Sequence, residues 1–133
     1  MENISKRILV VDDTDSNRLM LSMLLKRDGY NVIAVSSGKE ALKACRNNDI
    51  DLCLLDIKMP GMTGFELAVN LRKDETTATL PFVFVSSNDS KTNILKGLYL
   101  GAIDYIVKPI APKHFTRKIR LYFDFIKMEK QSL

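Results

Sequence analysis

Five polar side chains stand directly after short apolar runs, and their chemical types suit phosphoryl transfer. They are three carboxylates, one hydroxyl and one amine, at Asp12, Asp13, Asp56, Ser86 and Lys108. Two carboxylates about 4 Å apart repel by ~4 kcal/mol at an effective dielectric of about 20, so a cluster of three calls for a cation. Mg²⁺, or Mn²⁺ in its place, binds a few carboxylates together with phosphate oxygens. A metal, a carboxylate, a hydroxyl and an ammonium can then position a phosphoryl group and neutralise its charge.

The sequence lacks the glycine-rich loops that bind nucleotide phosphates. Neither GxxxxGK[ST] nor GxGxxG occurs, so we expect the phosphoryl donor to be another protein or a small phosphorylated molecule rather than bound ATP. His114 is the single histidine, which excludes most Ser-His and Cys-His catalytic arrangements. Cys45 and Cys53 are expected to be small buried side chains of the core rather than a disulfide.

The five polar side chains can meet only if the apolar runs before them are strands of one sheet. Strands are predicted at residues 7–11, 32–35, 51–55, 82–85 and 103–107. A stretch with helical periodicity follows each strand, the last one from about Pro112 to about Met128. Alternating strands and helices predict an α/β fold with a parallel sheet and right-handed crossovers. Because ligands bind outside the carboxyl ends of such strands, we expect the five side chains at one edge.

Length and composition are those of one globular domain. The 133 residues lie below the roughly 150 expected per domain, and 46% hydrophobic residues is an ordinary globular value. No apolar run approaches the ~20 residues that a membrane span needs, and the start of the chain has no secretory signal pattern. We therefore expect a cytoplasmic protein that contacts no membrane.

The basic charge of the protein is carried by the end of the chain. The net charge is +4, and residues 108–133 hold seven Lys and Arg against two acids. Direct binding of nucleic acid is one interpretation of this segment, and a solvated helix face is the one we favour. Because a helix-turn-helix pattern is absent, no direct contact with nucleic acid is expected.

Four motifs resemble the receiver domain of two-component response regulators, in the same order and spacing. They are ILVVDD at 8–13, LLDIKMPGMTGFEL at 54–67, FVFVSSND at 82–89 and GAIDYIVKPI at 101–110. The resemblance covers residues 6–126. It implies a flavodoxin-like (βα)5 fold, a three-layer sandwich whose five-stranded parallel sheet has the order 2-1-3-4-5. Residues 1–128 would form the receiver domain, with helix five from about 112, and 129–133 a C-terminal tail or the start of a linker helix.

The resemblance also implies a function, that of a phosphoacceptor switch in a two-component phosphorelay. Asp56 matches the carboxylate that takes a phosphoryl group from a phosphohistidine of a sensor histidine kinase or a histidine phosphotransfer protein. Asp13 and Asp56 match direct Mg²⁺ ligands, together with the backbone carbonyl of Lys58, while Asp12 acts mainly through water. Such a domain is a regulatory phosphoacceptor rather than an enzyme, apart from catalysing its own phosphorylation and dephosphorylation.

Three more residues match family positions around the phosphoryl group. Ser86 matches the hydroxyl that hydrogen-bonds a phosphoryl oxygen. Lys108 matches the lysine that pairs with the phosphate, and the Lys108–Pro109 peptide is cis in many members. Tyr105 matches a switch aromatic that swings inward once the hydroxyl residue has moved. Phosphorylation would thereby change the face formed by helix four, strand five and helix five, which controls a partner or an output module.

The last predicted helix has two apolar stripes, whereas a terminal helix on one sheet needs one. The stripe expected to face the sheet is Phe115, Ile119, Tyr122 and Ile126, and the second is Leu121, Phe125 and Met128. The second stripe predicts a partner, either a second copy of the chain or an output module reached through the helix. The segment also resembles helices that follow the N-terminal receivers of larger histidine-kinase and diguanylate-cyclase proteins.

Two alternatives use the same residues. A phosphatase with an aspartyl-phosphate intermediate, of the haloacid-dehalogenase-like kind, needs a second Asp two residues after the nucleophile, where this chain has Lys58. A pseudo-receiver binds partners without being phosphorylated, yet all five polar residues of the site are present here. We also hypothesise that Lys58 and Ser87 help to set the lifetime of the acyl phosphate.

Overall fold

The computed structural model describes residues 5–131, in which five strands alternate with five helices. In chain order they are β1 (Arg7–Val11), α1 (Asp15–Arg27), β2 (Asn31–Val35), α2 (Gly38–Asn47), β3 (Leu52–Leu55), α3 (Gly64–Lys73), β4 (Phe82–Ser86), α4 (Lys91–Tyr99), β5 (Asp104–Val107) and α5 (Pro112–Gln131). The number and order of elements confirm the α/β prediction. No helix within residues 5–131 has the length and apolar character needed to cross a bilayer.

The sheet is parallel throughout and has the strand order β2-β1-β3-β4-β5. This is the predicted flavodoxin-like order. β1 lies beside both β2 and β3, since Val11 is in register with Val35 on one side and Leu55 on the other. The carboxyl ends of β1, β3, β4 and β5 therefore meet at one edge of the sheet, which we call the carboxyl edge. The opposite edge, where the strands begin, is the amino edge.

Helices cover both faces of the sheet and divide the core into two layers. On one face α2, α3 and α4 pack against alternate strand residues such as Leu9, Cys53 and Phe84. On the other face α1 and α5 pack against the residues between them, such as Val10 and Leu54. β3 and β4 are buried along their whole length, as expected for central strands that are covered on both sides.

Polar caps determine where three of the helices begin. Ser37 and Ser90 accept hydrogen bonds from the third residue of α2 and α4. Thr63 and Glu66 form a reciprocal capping box at the start of α3, which satisfies two backbone N–H groups that the helix cannot. α3 therefore begins directly after the loop that follows β3, close to the carboxyl edge.

Element ends differ from the prediction by a few residues. β3 begins at Leu52 rather than at residue 51, because the Asp51 carboxylate accepts the Arg7 N–H at 2.7 Å and ends the ladder there. α5 continues to Gln131 instead of ending near Met128, since the sequence KMEKQ contains no glycine or proline. The domain boundary after residue 128 stays a prediction, and residues 1–4 and 132–133 lie outside the described chain.

The two predicted stripes of α5 are both present. The inner stripe is buried against the sheet, at Phe115, Ile119, Tyr122 and Ile126. The outer one is open to solvent, with Leu121, Phe125 and Met128 exposed by 57%, 46% and 68%. Tyr122 and Lys118 both reach Asp104 of β5, at Oδ2 distances of 2.5 and 3.8 Å, so the outer stripe adjoins the edge strand.

Candidate functional site

The carboxyl edge brings together the acids that the sequence places after β1 and β3. One carboxylate oxygen from each of Asp12, Asp13 and Asp56 lies within 4.8 Å of the others. Asp12 and Asp56 are buried, with 1% and 7% of their surface exposed, whereas Asp13 is exposed. Residues that are 43 or 44 positions apart in sequence thus form one cluster, open to solvent on the Asp13 side.

Backbone contacts of the β1–α1 loop hold Asp12 in place. The Asp12 N–H donates to the Val35 carbonyl at 3.2 Å, which extends the β1–β2 ladder by one bond. Its Oδ1 accepts the Thr14 N–H at 2.9 Å. Arg18 of α1 donates from Nη1 to the Asp12 carbonyl at 2.7 Å and also pairs with Asp15. The first turn of α1 is therefore held against the backbone of Asp12 by the Arg18 side chain.

Asp56 follows β3 and is fixed by its own backbone. Its N–H donates to the Val11 carbonyl at 2.9 Å, and its Oδ1 accepts the Ile57 N–H at 2.8 Å. These two bonds orient the side chain so that Oδ2 faces the ammonium of Lys108. One oxygen of Asp56 is thus held by the backbone while the other is turned to the site.

Lys108 partly neutralises the acid cluster. Its Nζ lies 2.8 Å from Asp12 Oδ2 and 3.6 Å from Asp56 Oδ2, so the ammonium bonds Asp12 and only approaches Asp56. Its backbone N–H donates to the Ser86 carbonyl at 2.9 Å, which places the lysine at the end of β5. The Lys108–Pro109 peptide is cis.

Burial dominates the electrostatics of Asp56. Loss of hydration raises the pKa of its carboxyl, and the neighbouring charges of Asp12 and Asp13 raise it further. Lys108 and the hydrogen bond from Ile57 act in the opposite direction but do not offset burial. The negative charge of Asp56 is therefore costly, and any added cation would stabilise it.

The donor set fits a hard divalent cation. Three carboxylates converge, one of them is exposed, and the buried Asp56 keeps an elevated pKa beside a single close ammonium. Mg²⁺ prefers such oxygen donors and retains waters, for which the exposed side at Asp13 leaves room. Asp12, Asp13 and Asp56 are the residues that would hold the ion.

Ser86 and Tyr105 lie beside the acids and share a neighbour. Ser86 is the last residue of β4, is 2% exposed, and its Oγ accepts the Asn88 N–H at 3.2 Å. Tyr105 is buried, with its ring 6.2 Å from that of Phe84 and its hydroxyl donating to the Asn88 carbonyl at 2.6 Å. Burial raises the pKa of the Tyr105 hydroxyl. The aromatic side chain therefore already occupies an inward position in this structure without a phosphoryl group, and its movement on phosphorylation stays a prediction.

Lys58 and Ser87 differ from the other predicted site residues because both are exposed. Lys58 is two residues beyond Asp56 and Ser87 one beyond Ser86, so each lies on a loop at the carboxyl edge. Neither side chain has a partner among the hydrogen bonds that describe the site. Their influence on phosphoryl chemistry stays a prediction.

Sequence analysis missed three residues that position the site. Gly64 packs so closely on the backbone of Asp56 that an added Cβ would lie 1.9 Å from the Asp56 carbonyl oxygen. The Arg18 guanidinium donates to the Asp12 carbonyl, and the Asn88 carbonyl accepts the Tyr105 hydroxyl. A glycine at the first position of a capping-box helix is a readable signal of close approach, but the partners of Arg18 and Asn88 depend on the loop paths.

The chain matches a known family along most of its length. The sequence model of the response regulator receiver domain matches residues 8–120. The DNA-binding response regulator MtrA of Mycolicibacterium smegmatis is 36% identical over 120 residues, which are 90% of this chain and 51% of MtrA. The alkaline phosphatase synthesis transcriptional regulatory protein PhoP of Bacillus subtilis is 36% identical over 117 residues, or 88% of this chain and 48% of PhoP. This chain spans about half the length of these curated relatives.

Solved structures are similar over nearly their whole length. A CheY-like response regulator receiver domain protein from Methanospirillum hungatei superposes with a TM-score of 0.85 at 33% identity, covering 95% of this chain and 99% of that one. The chemotaxis protein CheY4 of Vibrio cholerae gives a TM-score of 0.83 at 30% identity, covering 88% and 98%. Fold, acid cluster and sequence agree, and the chain belongs to the family of response regulator receiver domains.

Proposed function

We propose that Asp56 accepts a phosphoryl group from a phosphohistidine, and that the chain acts as the phosphoacceptor switch of a two-component phosphorelay. The observation that carries the proposal is the convergence of Asp12, Asp13 and Asp56 at the carboxyl edge, with the Lys108 ammonium beside Asp12 and Asp56. A buried carboxylate with a raised pKa and a solvent-open side has the geometry of an acceptor. The partner is a sensor histidine kinase or a histidine phosphotransfer protein.

The two oxygens of Asp56 have different roles in this proposal. Oδ1 accepts the Ile57 N–H, so Oδ2 is the oxygen that attacks phosphorus. The new oxygen–phosphorus bond forms as the bond from phosphorus to the histidine nitrogen breaks, and the imidazole leaves with a proton from solvent. Asp13, Asp56 and the Lys58 carbonyl would hold Mg²⁺ or Mn²⁺ directly, with Asp12 acting mainly through water, and the bound ion would supply positive charge that neutralises the phosphoryl oxygens.

Lys108 and Ser86 bind the phosphoryl oxygens after transfer. The Lys108 ammonium stands 3.6 Å from Asp56 Oδ2 and needs only a short movement from Asp12 to pair with the new dianion. The Ser86 hydroxyl lies beside both the Asn88 N–H and the Tyr105 hydroxyl, and we expect it to turn from them to donate to a phosphoryl oxygen. Positioned donors of this kind stabilise the charge that develops during phosphoryl transfer.

The switch runs from Ser86 through Asn88 and Tyr105 to the surface. Movement of Ser86 toward a phosphoryl oxygen weakens its bond with the Asn88 N–H, and the Asn88 carbonyl holds the Tyr105 hydroxyl. The Tyr105 ring in turn adjoins Gly97 of α4, where an added Cβ would lie 3.3 Å from it. Phosphorylation thus reaches the face formed by α4, β5 and α5, which we call the output face.

The output face is rich in apolar side chains that are open to solvent. Its exposed apolar residues are Leu95, Leu98, Tyr99, Val107, Leu121, Phe125 and Met128. Exposed apolar groups that adjoin one another mark a surface for a protein partner. We propose that this face controls an output module or pairs with a second copy through the outer stripe of α5. To convert the face from mostly inactive to mostly active, phosphorylation must supply about 5.5 kcal/mol of differential stabilisation.

The proposal treats the chain as a regulatory phosphoacceptor and not as a turnover enzyme. Its reactions with phosphate are its own phosphorylation and the hydrolysis of its own acyl phosphate. MtrA is a DNA-binding response regulator about twice as long as its matched part, and we keep the prediction that this chain contacts no nucleic acid directly. Its cytoplasmic location and its place in a larger histidine kinase or diguanylate cyclase also stay predictions.

Mass spectrometry after incubation with Mg²⁺ and acetyl phosphate tests the acceptor. We expect a gain of one phosphoryl group, lost with EDTA and in Asp56→Asn, and retained in the matched control Asp49→Asn, an exposed acid away from the cluster. Equal labelling of Asp56→Asn and the wild type would refute Asp56 as the acceptor.

Sedimentation tests the second-copy arrangement. We expect beryllofluoride with Mg²⁺ to shift the wild type toward dimer, and Leu121→Ser with Phe125→Ser to abolish the shift. A wild type that stays monomeric at high concentration with and without beryllofluoride would exclude the dimer and leave an output module as the partner of the face.

A further inference from the structure

A cavity at the amino edge, on the far side of the sheet from the acid cluster, contains a cysteine. Its volume is about 850 Å³, and its walls include Cys45 and Arg46 of α2, Arg7 of β1, and Leu80 and Pro81 before β4. Cys45 is half-buried, so its thiol can meet small molecules that enter the cavity. The proposed phosphoryl chemistry makes no use of this cavity.

A second thiol lies behind the first. Cys53, in the middle of β3, has no exposed surface, and its N–H donates to the Pro81 carbonyl at 3.0 Å. Cys45 packs against the core layer that contains Cys53, and the two thiols are close enough to shift each other's pKa. Both cysteines are free. The pair therefore consists of one accessible and one sheltered sulfur that are neighbours.

The two thiols differ in acidity. The neighbouring Cys53 thiol lowers the pKa of Cys45 despite partial burial, and the Arg46 charge adds to this effect. The neighbouring Cys45 thiol and complete burial raise the pKa of Cys53. Because the thiolate is the nucleophile, Cys45 reacts first and Cys53 keeps its proton until a partner is formed.

We propose that Cys45 is a site of oxidation by hydrogen peroxide or a small alkyl hydroperoxide, and that Cys53 resolves the product to an intramolecular disulfide. The arrangement is that of redox-sensing thiols, which are accessible, readily ionised and placed beside a second cysteine. The proposal is independent of phosphorylation at Asp56. Its consequence is a covalent link between the last turn of α2 and the strand that ends at Asp56.

The reaction balances with peroxide as the oxidant. The Cys45 sulfur attacks one peroxide oxygen, the oxygen–oxygen bond breaks, and the departing hydroxide takes the Cys45 proton to form water. Cys45 is then a sulfenic acid. The Cys53 sulfur attacks the Cys45 sulfur, the sulfur–oxygen bond breaks, and the departing hydroxide takes the Cys53 proton. Two thiols are oxidised by two electrons in total, and one hydrogen peroxide becomes two waters.

Peptide mapping by mass spectrometry of the full chain after hydrogen peroxide tests the proposal. We expect the mass of the wild type to fall by two hydrogen atoms and both free thiols to disappear. Cys45 and Cys53 should then be found in one cross-linked peptide pair that dithiothreitol separates. The exposed Met23 and Met128 gain oxygen under the same treatment and report that the peroxide dose was sufficient.

Two variants separate the roles of the cysteines. In Cys53→Ala, Cys45 is expected to stop at the sulfenic acid or proceed to the sulfinic acid, whereas in Cys45→Ala the sheltered Cys53 is expected to stay reduced. The wild type alone also decides the matter if a variant fails to fold. Free thiols on both cysteines after both methionines are oxidised, or equal sulfinic acid at Cys45 in the wild type and in Cys53→Ala, would overturn the proposal.

Discussion

The two edges of the same sheet handle polar groups in different ways. At the amino edge, polar groups find neutral or oppositely charged partners within the chain, as in the Arg7 N–H on Asp51 Oδ2 at 2.7 Å and the Asn31 N–H on the Lys6 carbonyl at 2.9 Å. At the carboxyl edge, two buried carboxylates share the ammonium of Lys108, and a third carboxylate stands nearby. The amino edge is satisfied within the chain, whereas the carboxyl edge has an excess of negative charge.

The amino edge therefore contributes mainly to stability, and the carboxyl edge mainly to function. Paired backbone and side-chain groups at the amino edge contribute about 1 kcal/mol each to folding. Like charges at the carboxyl edge oppose folding; Lys108 relieves them in part, and a bound cation would relieve them further. The residues that respond to a cation or to phosphorylation therefore lie at the edge where the side-chain charges stabilise the folded state least.

The largest difference between the two edges is expected in the loss of stability when a glycine at each edge is replaced by alanine. Gly64→Ala places a Cβ 1.9 Å from the Asp56 carbonyl oxygen, and relieving this clash costs about 3 kcal/mol or more. At the amino-edge end of α1, Gly29→Ala meets nothing within 4 Å and pays only for its positive φ of 93°, about 1–2 kcal/mol. Urea unfolding measures both variants. Equal losses in the two would show that the carboxyl edge is not more tightly packed.

Removing one charge from each edge is the next test. Lys108→Ala leaves Asp12 and Asp56 without their ammonium, so we expect phosphorylation by acetyl phosphate to slow about a hundredfold and stability to fall by about 1–3 kcal/mol. Asp51→Ala removes one hydrogen bond to Arg7, which costs about 1 kcal/mol and leaves the phosphorylation rate unchanged. A rate loss as large in Asp51→Ala would contradict the separation.

A smaller, pH-dependent effect is expected from Asp56. Its pKa is raised in the folded state by burial, so the folded protein binds its proton more tightly than the unfolded chain does. This contribution to stability is complete below the unfolded pKa of about 3.9 and is lost as pH rises through the folded pKa. In EDTA the wild type should therefore lose stability relative to Asp56→Asn as pH rises above about 4, as measured by urea unfolding. Mg²⁺ should reduce this difference in stability between the wild type and Asp56→Asn at neutral pH. A difference that does not change with pH would contradict the raised pKa of Asp56.

The smallest effect is expected at an exposed lysine beside the acceptor. Lys58→Ala removes a mobile cation that can screen the acyl phosphate from water, so we expect hydrolysis to accelerate about two- to fivefold, the range of an exposed charge pair. The matched control Lys73→Ala removes an exposed lysine from the last turn of α3 and should leave the rate unchanged. Phosphate release from labelled protein measures both, and an unaltered rate in Lys58→Ala excludes the lysine from this role.

Much of the fold followed from local patterns. The apolar runs before Asp12, Asp56 and Lys108 were sufficient to predict the strands, because a buried parallel strand reads as a short continuous run. Their common direction then placed the polar residues at one edge. The end of α5 was wrong by three residues, since nothing in KMEKQ stops a helix and the exposed end of a helix carries no periodic signal.

The positions of functional residue types were thus determined by the sequence itself, through periodicity and through the residues that follow each strand. Only the tertiary structure decided their partners. Lys108 bonds Asp12, 96 positions away, and only approaches Asp56. Gly64 touches the Asp56 backbone, and Cys45 packs against the core layer that contains Cys53. Hydrophobic patterning specifies which face of an element is buried, whereas distances of a few ångströms between side chains depend on strand register, loop path and packing of the whole domain.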